Sequence, residues 1–194
     1  MRYPNEHKEQ TRQRVLKEAA AAIRAAGPDG VGVAEVMAKA GLTHGAFYAH
    51  FESKDDLIAQ AIAYMFAETR QKFVTRTEDP DPAIALRNYI DMYLSSRHRD
   101  APAGGCPLPS LSGELARLPG EARAQFTSGL KALTALMAKR IEQLGRADAG
   151  QLATSAVAEM VGAMALARAT DDPAQSDQIL RNSRAAIKAR LAIA

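Results

Sequence analysis

Cys106 and His98 are the side chains of this sequence whose chemistry could be covalent. Cys106 is the single cysteine and lies in a stretch rich in glycine and proline, residues 100–107, before a predicted short helix over residues 108–117. Backbone N–H groups at a helix N-terminus stabilise a thiolate, so we expect the Cys106 thiol to have a lowered pKa and to be reactive. His98 precedes Cys106 closely and could act as a base for such a nucleophile.

Three roles are open for Cys106. A thiol enzyme would use Cys106 as nucleophile and His98 as base, but the sequence offers no recognisable third catalytic residue or oxyanion site. A redox or electrophile sensor would need an activated thiol, whereas an inert free cysteine behaves as a small buried apolar residue. One cysteine excludes an internal disulfide and fits a reducing cytosol. We expect no metal site and no cofactor, because the four histidines and Cys106 lack ligand spacing.

A second group of side chains suits binding to DNA. Hydrogen-bonding and small residues stand at the start of a predicted short helix: Thr43, His44, Gly45 and Ala46. The N-terminal residues of a helix in the major groove reach the base edges, and small residues allow close approach. Tyr48, His50 and Lys54 can donate to phosphates, which set the register of a protein on DNA. The net charge of +3 permits such binding without demonstrating it, so a local site has to supply the contacts.

Three short helical segments are predicted to position these side chains. Apolar residues at three- and four-residue spacing predict a first helix over about residues 9–26 and a second over about 33–40. Gly41 can adopt the left-handed conformation of a tight turn, and Thr43 can cap the third helix. Short helices joined by a glycine-containing turn form a helix-turn-helix pattern. We therefore assign residues 1–54 to a helix-turn-helix DNA-binding domain.

The remainder of the chain is predicted to be helical as well. Hydrophobic residues make up 47% of the chain but aromatic residues only 5%, which favours packed helices rich in Ala, Leu, Ile, Val and Met. Ser53 and Asp56 resemble a capping box that opens a long helix. The last two helices are predicted over about residues 151–169 and 176–193. The sequence thus predicts an all-α protein of about nine helices, in which residues 55–194 form a second, helical domain.

Residues 41–57 resemble the signature of the TetR family of bacterial repressors. The turn glycine Gly41, the Gly-x-x-Tyr-x-His-Phe core that begins at Gly45, and the following Lys54 all match. At the level of motifs the resemblance covers about residues 9–66. It implies contacts to bases from Thr43, His44 and Ala46, and contacts to the DNA backbone from Tyr48, His50 and Lys54.

The start of the second helix departs from the family pattern. The family usually carries Thr or Ser there, and the hydroxyl can cap the helix and contact a phosphate. Here Gly32 and Val33 occupy that stretch. This removes one capping contact and leaves open whether Val33 contributes to DNA binding.

The resemblance also implies that residues 55–194 are a regulatory and dimerisation domain, with an inducer pocket and a homodimer interface in the C-terminal helices. We expect the pocket among the helices that carry Tyr93 and Phe126. Gly105-Cys106 before a short helix is similar to a subgroup of the family in which some members respond to thiol-reactive electrophiles. The last two helices are expected to form the dimer through a face of small and apolar side chains: Ala156, Met160, Ala163, Met164 and Ala167. That face could instead be the internal core of a monomer.

These features predict a transcriptional regulator, not an enzyme. We expect a repressor that binds a palindromic operator in double-stranded DNA as a homodimer, because two half-sites require twofold symmetry. A small-molecule or thiol-reactive inducer is expected to release this repressor from its operator. The alternatives are a ligand-independent DNA-binding protein, a transcriptional activator of the same fold and a thiol enzyme that uses Cys106. No apolar signal region begins the chain and no apolar run reaches the ~20 residues that span a bilayer, so we expect a cytoplasmic protein without a membrane partner.

Overall fold

The computed structural model describes residues 3–114, 117 and 120–193. Over these residues the chain forms nine α-helices and two short 3-10 helices, with no strand, which confirms the predicted all-α fold. The α-helices are α1 (Tyr3–Ala26), α2 (Val33–Lys39), α3 (Lys54–Arg76), α4 (Pro82–Tyr93), α5 (Ser96–Arg99), α6 (Pro107–Leu111), α7 (Gly120–Glu142), α8 (Ala149–Ala169) and α9 (Pro173–Leu191). The 3-10 helices span His44–Ala49 and Pro102–Gly104.

The N-terminal unit is built on the apolar stripe of α1. Residues at three- and four-residue spacing on this helix are fully buried: Val15, Leu16, Ala19, Ala20 and Ile23. The helix begins at Tyr3, earlier than predicted, and ends at Ala26 as predicted. Gly27 and Gly41 adopt φ values of +74° and +73° in the turns that follow α1 and α2. Glycine reaches this left-handed region without strain, so both turns can be tight.

The third segment of the N-terminal unit folds as a 3-10 helix. Its bonds close over three residues, as from the Ala46 N–H to the Thr43 carbonyl at 3.1 Å, a geometry suited to segments this short. Thr43 stands at the N-cap position, but its side chain accepts no capping hydrogen bond. The predicted hydroxyl cap by Thr43 is therefore wrong. Phe47 and Phe51 anchor the segment in the core, with their rings stacked at a centroid distance of 5.6 Å.

The long helix α3 connects the N-terminal unit to the C-terminal bundle. Ser53 caps it as predicted, because its hydroxyl accepts the Asp56 N–H at 3.1 Å. The Asp56 carboxylate accepts the N–H of Glu52 at 2.9 Å, one residue earlier than in a reciprocal capping box. α3 packs against α1 and also against α7, where the Phe66 ring lies directly over Gly129. A movement of α3 would therefore change contacts in both the N-terminal unit and the C-terminal bundle.

The C-terminal bundle consists of α7, α8 and α9 packed side by side, with α4 against α7 and α9. The short helix α6 ends at Leu111, and residues 112–114 form a turn, so its predicted extension to Arg117 is wrong. Residues 115 and 116 of that predicted helix lie outside the described residues. In the last two helices the structure adds one turn or less to each predicted start.

The face of α8 that we predict to form the dimer lies inside a single chain. Each of its five side chains is buried: Ala156, Met160, Ala163, Met164 and Ala167. They lie in one hydrophobic core with residues of α7 and α9. The prediction of this dimer face is therefore wrong, because small side chains at helical spacing serve close packing within a bundle as well as between subunits.

Helix α8 is also long and apolar enough, by length and composition, to cross a membrane. Its 21 residues reach a mean hydropathy of 1.2 in the most apolar window, and 44% of that window is buried inside the structure. The core helix of a bundle has the same properties, and α8 packs against α6, α7 and α9. One helix of this kind is weak evidence for a membrane span.

Candidate DNA-binding surface and inducer cavity

The 3-10 helix presents its predicted base-contacting residues at the surface. Thr43, His44 and Gly45 are exposed, and Ala46 is half-buried. A Cβ built on Gly45 meets nothing within 4 Å among the described residues, so the surface there is open to a close approach. Neither Thr43 nor His44 makes a side-chain hydrogen bond to another described residue. Both polar groups are therefore available to an external partner.

Tyr48 projects from the same segment into solvent. It is 72% exposed, and its ring packs edge-on against the buried Phe47 at a centroid distance of 5.2 Å. The alternative that Tyr48 fills the core is thus wrong. Lys54 is exposed at the first turn of α3, where its Nζ donates to the Asp29 carbonyl at 3.4 Å. A cation at a helix N-terminus is unfavourable unless acceptors lie nearby, and this carbonyl supplies one.

His50 ends the 3-10 helix in a positively charged environment. Its Nδ1 is buried and has no hydrogen-bond partner among the described residues. Burial lowers the pKa of His50, and the positive charges of Lys8 and Arg12 on α1 lower it further. Lys8 and Arg12 therefore lie near the candidate surface, although neither belongs to the motif of residues 41–57. Their spacing of four residues at the exposed start of α1 is a signal that could have found them.

Val33 is the first residue of α2 and is half-buried against the core. Gly32 precedes it in extended conformation and makes no side-chain cap. Val33 thus packs against the core and stays partly accessible at the start of α2.

Tyr93 and Cys106 come together in one cavity of about 330 Å³. Its walls are α3, α4 and the segment from Ser95 to Cys106. Phe126 lies elsewhere, in an open apolar groove of about 670 Å³ between α7 and α8. The structure therefore unites two of the three predicted inducer-site residues and separates the third.

The environment of Cys106 raises the pKa of its thiol. The residue is 6% exposed, and this burial is the dominant effect. The Leu108 N–H, the Tyr93 hydroxyl and the charges of Arg24 and Arg168 act in the opposite direction but are outweighed. The predicted lowering of the Cys106 pKa by a helix N-terminus is therefore wrong. Helix α6 has only five residues, and burial penalises the thiolate more than its first amides stabilise it.

His98 holds the backbone of Cys106 and not its thiol. The His98 Nδ1 lies 2.7 Å from the Tyr93 carbonyl, to which it donates. The Nε2 is then left as an acceptor for the Cys106 N–H at 3.2 Å. Burial lowers the pKa of His98 despite the Tyr93 carbonyl, and the charges of Arg168 and Lys72 add to the effect. The neutral His98 ring thus links the Tyr93 carbonyl to the Cys106 N–H, and neither of its nitrogens is available as a base for the thiol.

The segment that carries Cys106 is bonded to both α1 and α3. Arg24 near the end of α1 donates to the Ala103 carbonyl at 3.2 Å and pairs with Glu68 at 2.7 Å. Lys72 of α3 donates to the Gly104 carbonyl at 2.6 Å. These contacts lie between the cavity and the N-terminal unit. A displacement of this segment would therefore act directly on α1.

Among the described residues, no three His, Cys, Asp or Glu side chains are grouped so as to hold a metal ion. The fold instead joins a helix-turn-helix with an exposed polar segment to a helical bundle that contains a cavity. This combination defines the class of DNA-binding regulators that carry their own sensory domain.

Comparison with known families identifies which regulators these are. A profile described as "Bacterial regulatory proteins, tetR family" matches residues 15–61. A second profile, "Tetracyclin repressor-like, C-terminal domain", matches residues 82–183, more than half of the chain. The chain belongs to the TetR family and is a non-enzymatic DNA-binding transcriptional regulator. No curated protein sequence matches it significantly.

Solved structures share the fold at low sequence identity. NemR of E. coli in its reduced form has a TM-score of 0.80 and 22% identity, over 92% of this chain and 96% of that one. A TetR transcriptional regulator of Chloroflexus aurantiacus J-10-FL has a TM-score of 0.81 and 23% identity, over 96% of both chains. A TetR-family regulator of Agrobacterium tumefaciens has a TM-score of 0.77 and 23% identity, over 91% and 97%. These likenesses establish the fold alone.

Proposed function

We propose that this regulator is a repressor that binds a palindromic operator as a homodimer and releases it when a small molecule enters the cavity of Tyr93 and Cys106. The observation that supports inducibility most directly is the bond from Arg24 of α1 to Ala103. That bond joins the wall of the cavity to the DNA-binding unit. A ligand that favours a different position of this wall would oppose DNA binding, and DNA would oppose the ligand reciprocally.

The DNA-binding residues of the proposal divide into two sets. Thr43, His44 and Ala46 contact bases, with Gly45 allowing close approach, because they lie on the exposed start of the 3-10 helix. Phosphates are contacted by Tyr48, His50 and Lys54 from the sequence motif, joined by Lys8 and Arg12 from α1. Val33 has a packing role that does not require DNA. We place the domain boundary between residues 54 and 55, at the first turn of α3.

A homodimer of the proposed kind would use the exposed faces of α8 and α9. Ala158, Gly162 and Leu166 recur every four residues on α8 and are all exposed, Leu166 by 61%. On α9, Ala185 and Ala189 are exposed at the same spacing. Small side chains allow helices to approach closely, and Leu166 supplies an apolar contact. This face is opposite to the buried one that we predict from the sequence.

A non-covalent inducer fits the cavity better than a thiol-reactive one. Cys106 lines the cavity, which keeps a thiol-reactive inducer as the second candidate. Its raised pKa, however, leaves little thiolate at neutral pH, and the thiolate is the nucleophile. The alternatives of a ligand-independent DNA binder and of an activator remain distinct from this proposal. We assign the protein to the cytoplasm, where its DNA would be found.

The proposal is tested by mixing the purified protein with sheared genomic DNA and sequencing the retained fragments. We expect enrichment of a short palindrome. His44→Ala should then relax the preference at one operator position, at a cost of about 1–3 kcal/mol for the preferred base. Lys54→Ala is the matched control, which should weaken binding to all sequences alike and reduce the salt slope by about 1.

Two results would contradict the proposal. Retention without a palindrome would argue against a dimeric operator reader. An operator preference unchanged by His44→Ala would show that the base contacts come from elsewhere.

A further inference from the structure

We infer that the cavity of Tyr93 and Cys106 selects a small amphipathic anion, an aromatic or short aliphatic carboxylate, over neutral and cationic molecules of the same shape. This inference rests on the proposed function, in which the same cavity receives the inducer. It adds the chemical class of the ligand, which follows from the charges on the cavity wall.

Among the described residues, all the ionic side chains that line the cavity are cations. Lys72 and Arg76 lie one turn apart on α3, and Arg97 lies across from them on α5. No Asp or Glu is among the lining residues. Arg76 and Arg97 are exposed and form no ion pair or hydrogen bond with any described residue. The positive charge of Arg168 reaches the same region, because Arg168 lowers the pKa of the neighbouring His98 as Lys72 does. The site therefore attracts an anion and repels a cation.

The inner part of the cavity is apolar and aromatic. Tyr89 and Tyr93 are buried and lie with ring centroids 6.0 Å apart, and Met92 is half-buried beside them. Inorganic phosphate would leave this surface without a partner. A volume of about 330 Å³ suits a single ring or a short chain. The cavity thus has an apolar part for the body of the ligand and a cationic part for its acid group.

The Tyr93 hydroxyl is a buried polar group inside this site that can still take up a hydrogen bond. Tyr93 is 3% exposed, and its hydroxyl makes no hydrogen bond of normal geometry among the described residues, although it lies near the Cys106 thiol. Burial raises the pKa of Tyr93 well above its usual value, so the hydroxyl stays protonated and can donate. Buried hydroxyls are normally satisfied, and an oxygen atom of a ligand would satisfy this one.

An anion in this position would also act on the wall of the cavity. Lys72 donates to the Gly104 carbonyl at the wall of the cavity. A carboxylate is a stronger acceptor for an ammonium group than a carbonyl oxygen. A ligand that engages Lys72 would therefore weaken the contact beside Ala103, which Arg24 holds from α1. The charge that gives selectivity is thus placed where it can also loosen the DNA-binding unit.

The inference is tested by calorimetry at pH 7 with three probes of one shape: trans-cinnamate, trans-cinnamamide and cinnamylamine. We expect cinnamate to bind at least about tenfold more tightly than the amide, the amine to bind most weakly, and the preference to shrink with salt. Arg76→Gln with Arg97→Gln should remove the preference for cinnamate and leave the amide unaffected. Arg70→Gln is the matched control, since Arg70 is exposed on α3 but does not line the cavity.

The outcomes separate this inference from the proposed function. Three results would overturn the anion selectivity. They are equal binding of cinnamate and cinnamamide, no binding of cinnamate below about 1 mM, and a preference for cinnamate that survives the double substitution. Release of operator DNA by a neutral or cationic ligand of the cavity would also overturn it while the inducible repressor stands. Selective binding of cinnamate with no effect on operator binding by any ligand would support the anion site and contradict the proposed function.

Discussion

The ion pair between Arg24 and Glu68 offers the sharpest test of how the N-terminal unit is coupled to the rest of the chain. Its N–O distance is 2.7 Å, and the side chains are 3% and 32% exposed, respectively. Arg24 also donates to the Ala103 carbonyl. The two partners are unequally buried, so their removal has unequal consequences. We consider Arg24→Met, Glu68→Met and the double substitution.

Glu68→Met should be the more costly single change. It leaves a guanidinium that is almost fully buried without its counter-charge, a situation that costs about 3–5 kcal/mol. Arg24→Met leaves a carboxylate that water can reach, and it removes a charge that was expensive to bury. It loses two charged hydrogen bonds, so we expect a net loss of about 2 kcal/mol after the relief of desolvation. The double substitution should cost no more than Arg24→Met alone.

The assay is chemical denaturation at one fixed protein concentration, because the proposed dimerisation would make the apparent stability concentration-dependent. The exposed pair of Lys39 and Glu35, with an N–O distance of 2.8 Å, is the matched control and should show no measurable coupling. Additivity of the two single changes at Arg24 and Glu68 within about 0.5 kcal/mol would refute the reasoning. A smaller cost for Glu68→Met than for Arg24→Met would refute it as well.

Two further substitutions test the dimer face and the packing of α3 on α7. Leu166→Asp should dissociate the proposed dimer in sedimentation, since about 1.5–3 kcal/mol is lost at each of two symmetric positions. Val74→Asp, at an exposed position on α3, is the control and should leave the dimer intact. A dimer in both variants would place the interface elsewhere. Gly129→Ala should destabilise the chain by about 1–3 kcal/mol in thermal unfolding, because the added Cβ would meet the Phe66 ring. Gly150→Ala is the control, since a Cβ there has open space, and it should be neutral or stabilising. Equal effects of the two substitutions would contradict the packing of α3 on α7.

Local signals were sufficient to predict most of the fold. The apolar stripe of α1, the capping hydroxyl of Ser53 and the turn at Gly41 depend on residues close in sequence, and the structure shows each of them. The 3-10 form of the third segment was not predicted, because its six residues are too few for pattern to separate the two helix types. The hydroxyl cap predicted for Thr43 at the start of this segment was wrong as well.

Properties set by tertiary burial were predicted less well. The α8 stripe at Met160 was assigned to a dimer face because spacing shows which residues share a face but not what covers it. Phe126 and Tyr93 share an aromatic character but line different cavities, which only the packing of α7 against α8 determines. Arg24 did carry a signal, since it stands four residues after the buried Ala20, where a basic residue needs a partner.

The chemistry of Cys106 shows which of two opposing effects prevails when a sequence motif is placed in a fold. The motif supplies a nearby backbone N–H, and Arg24 of α1 and Arg168 of α8 add positive charges, all of which favour the thiolate. The fold removes water from the thiol, which disfavours the thiolate more strongly. His98 maintains that burial by holding the Cys106 backbone, and it does so through a nitrogen that must stay unprotonated. Lys72 and Arg24, far from Cys106 in sequence, hold the same segment through the Gly104 and Ala103 carbonyls, so we expect the reactivity of Cys106 to rise when these contacts are removed.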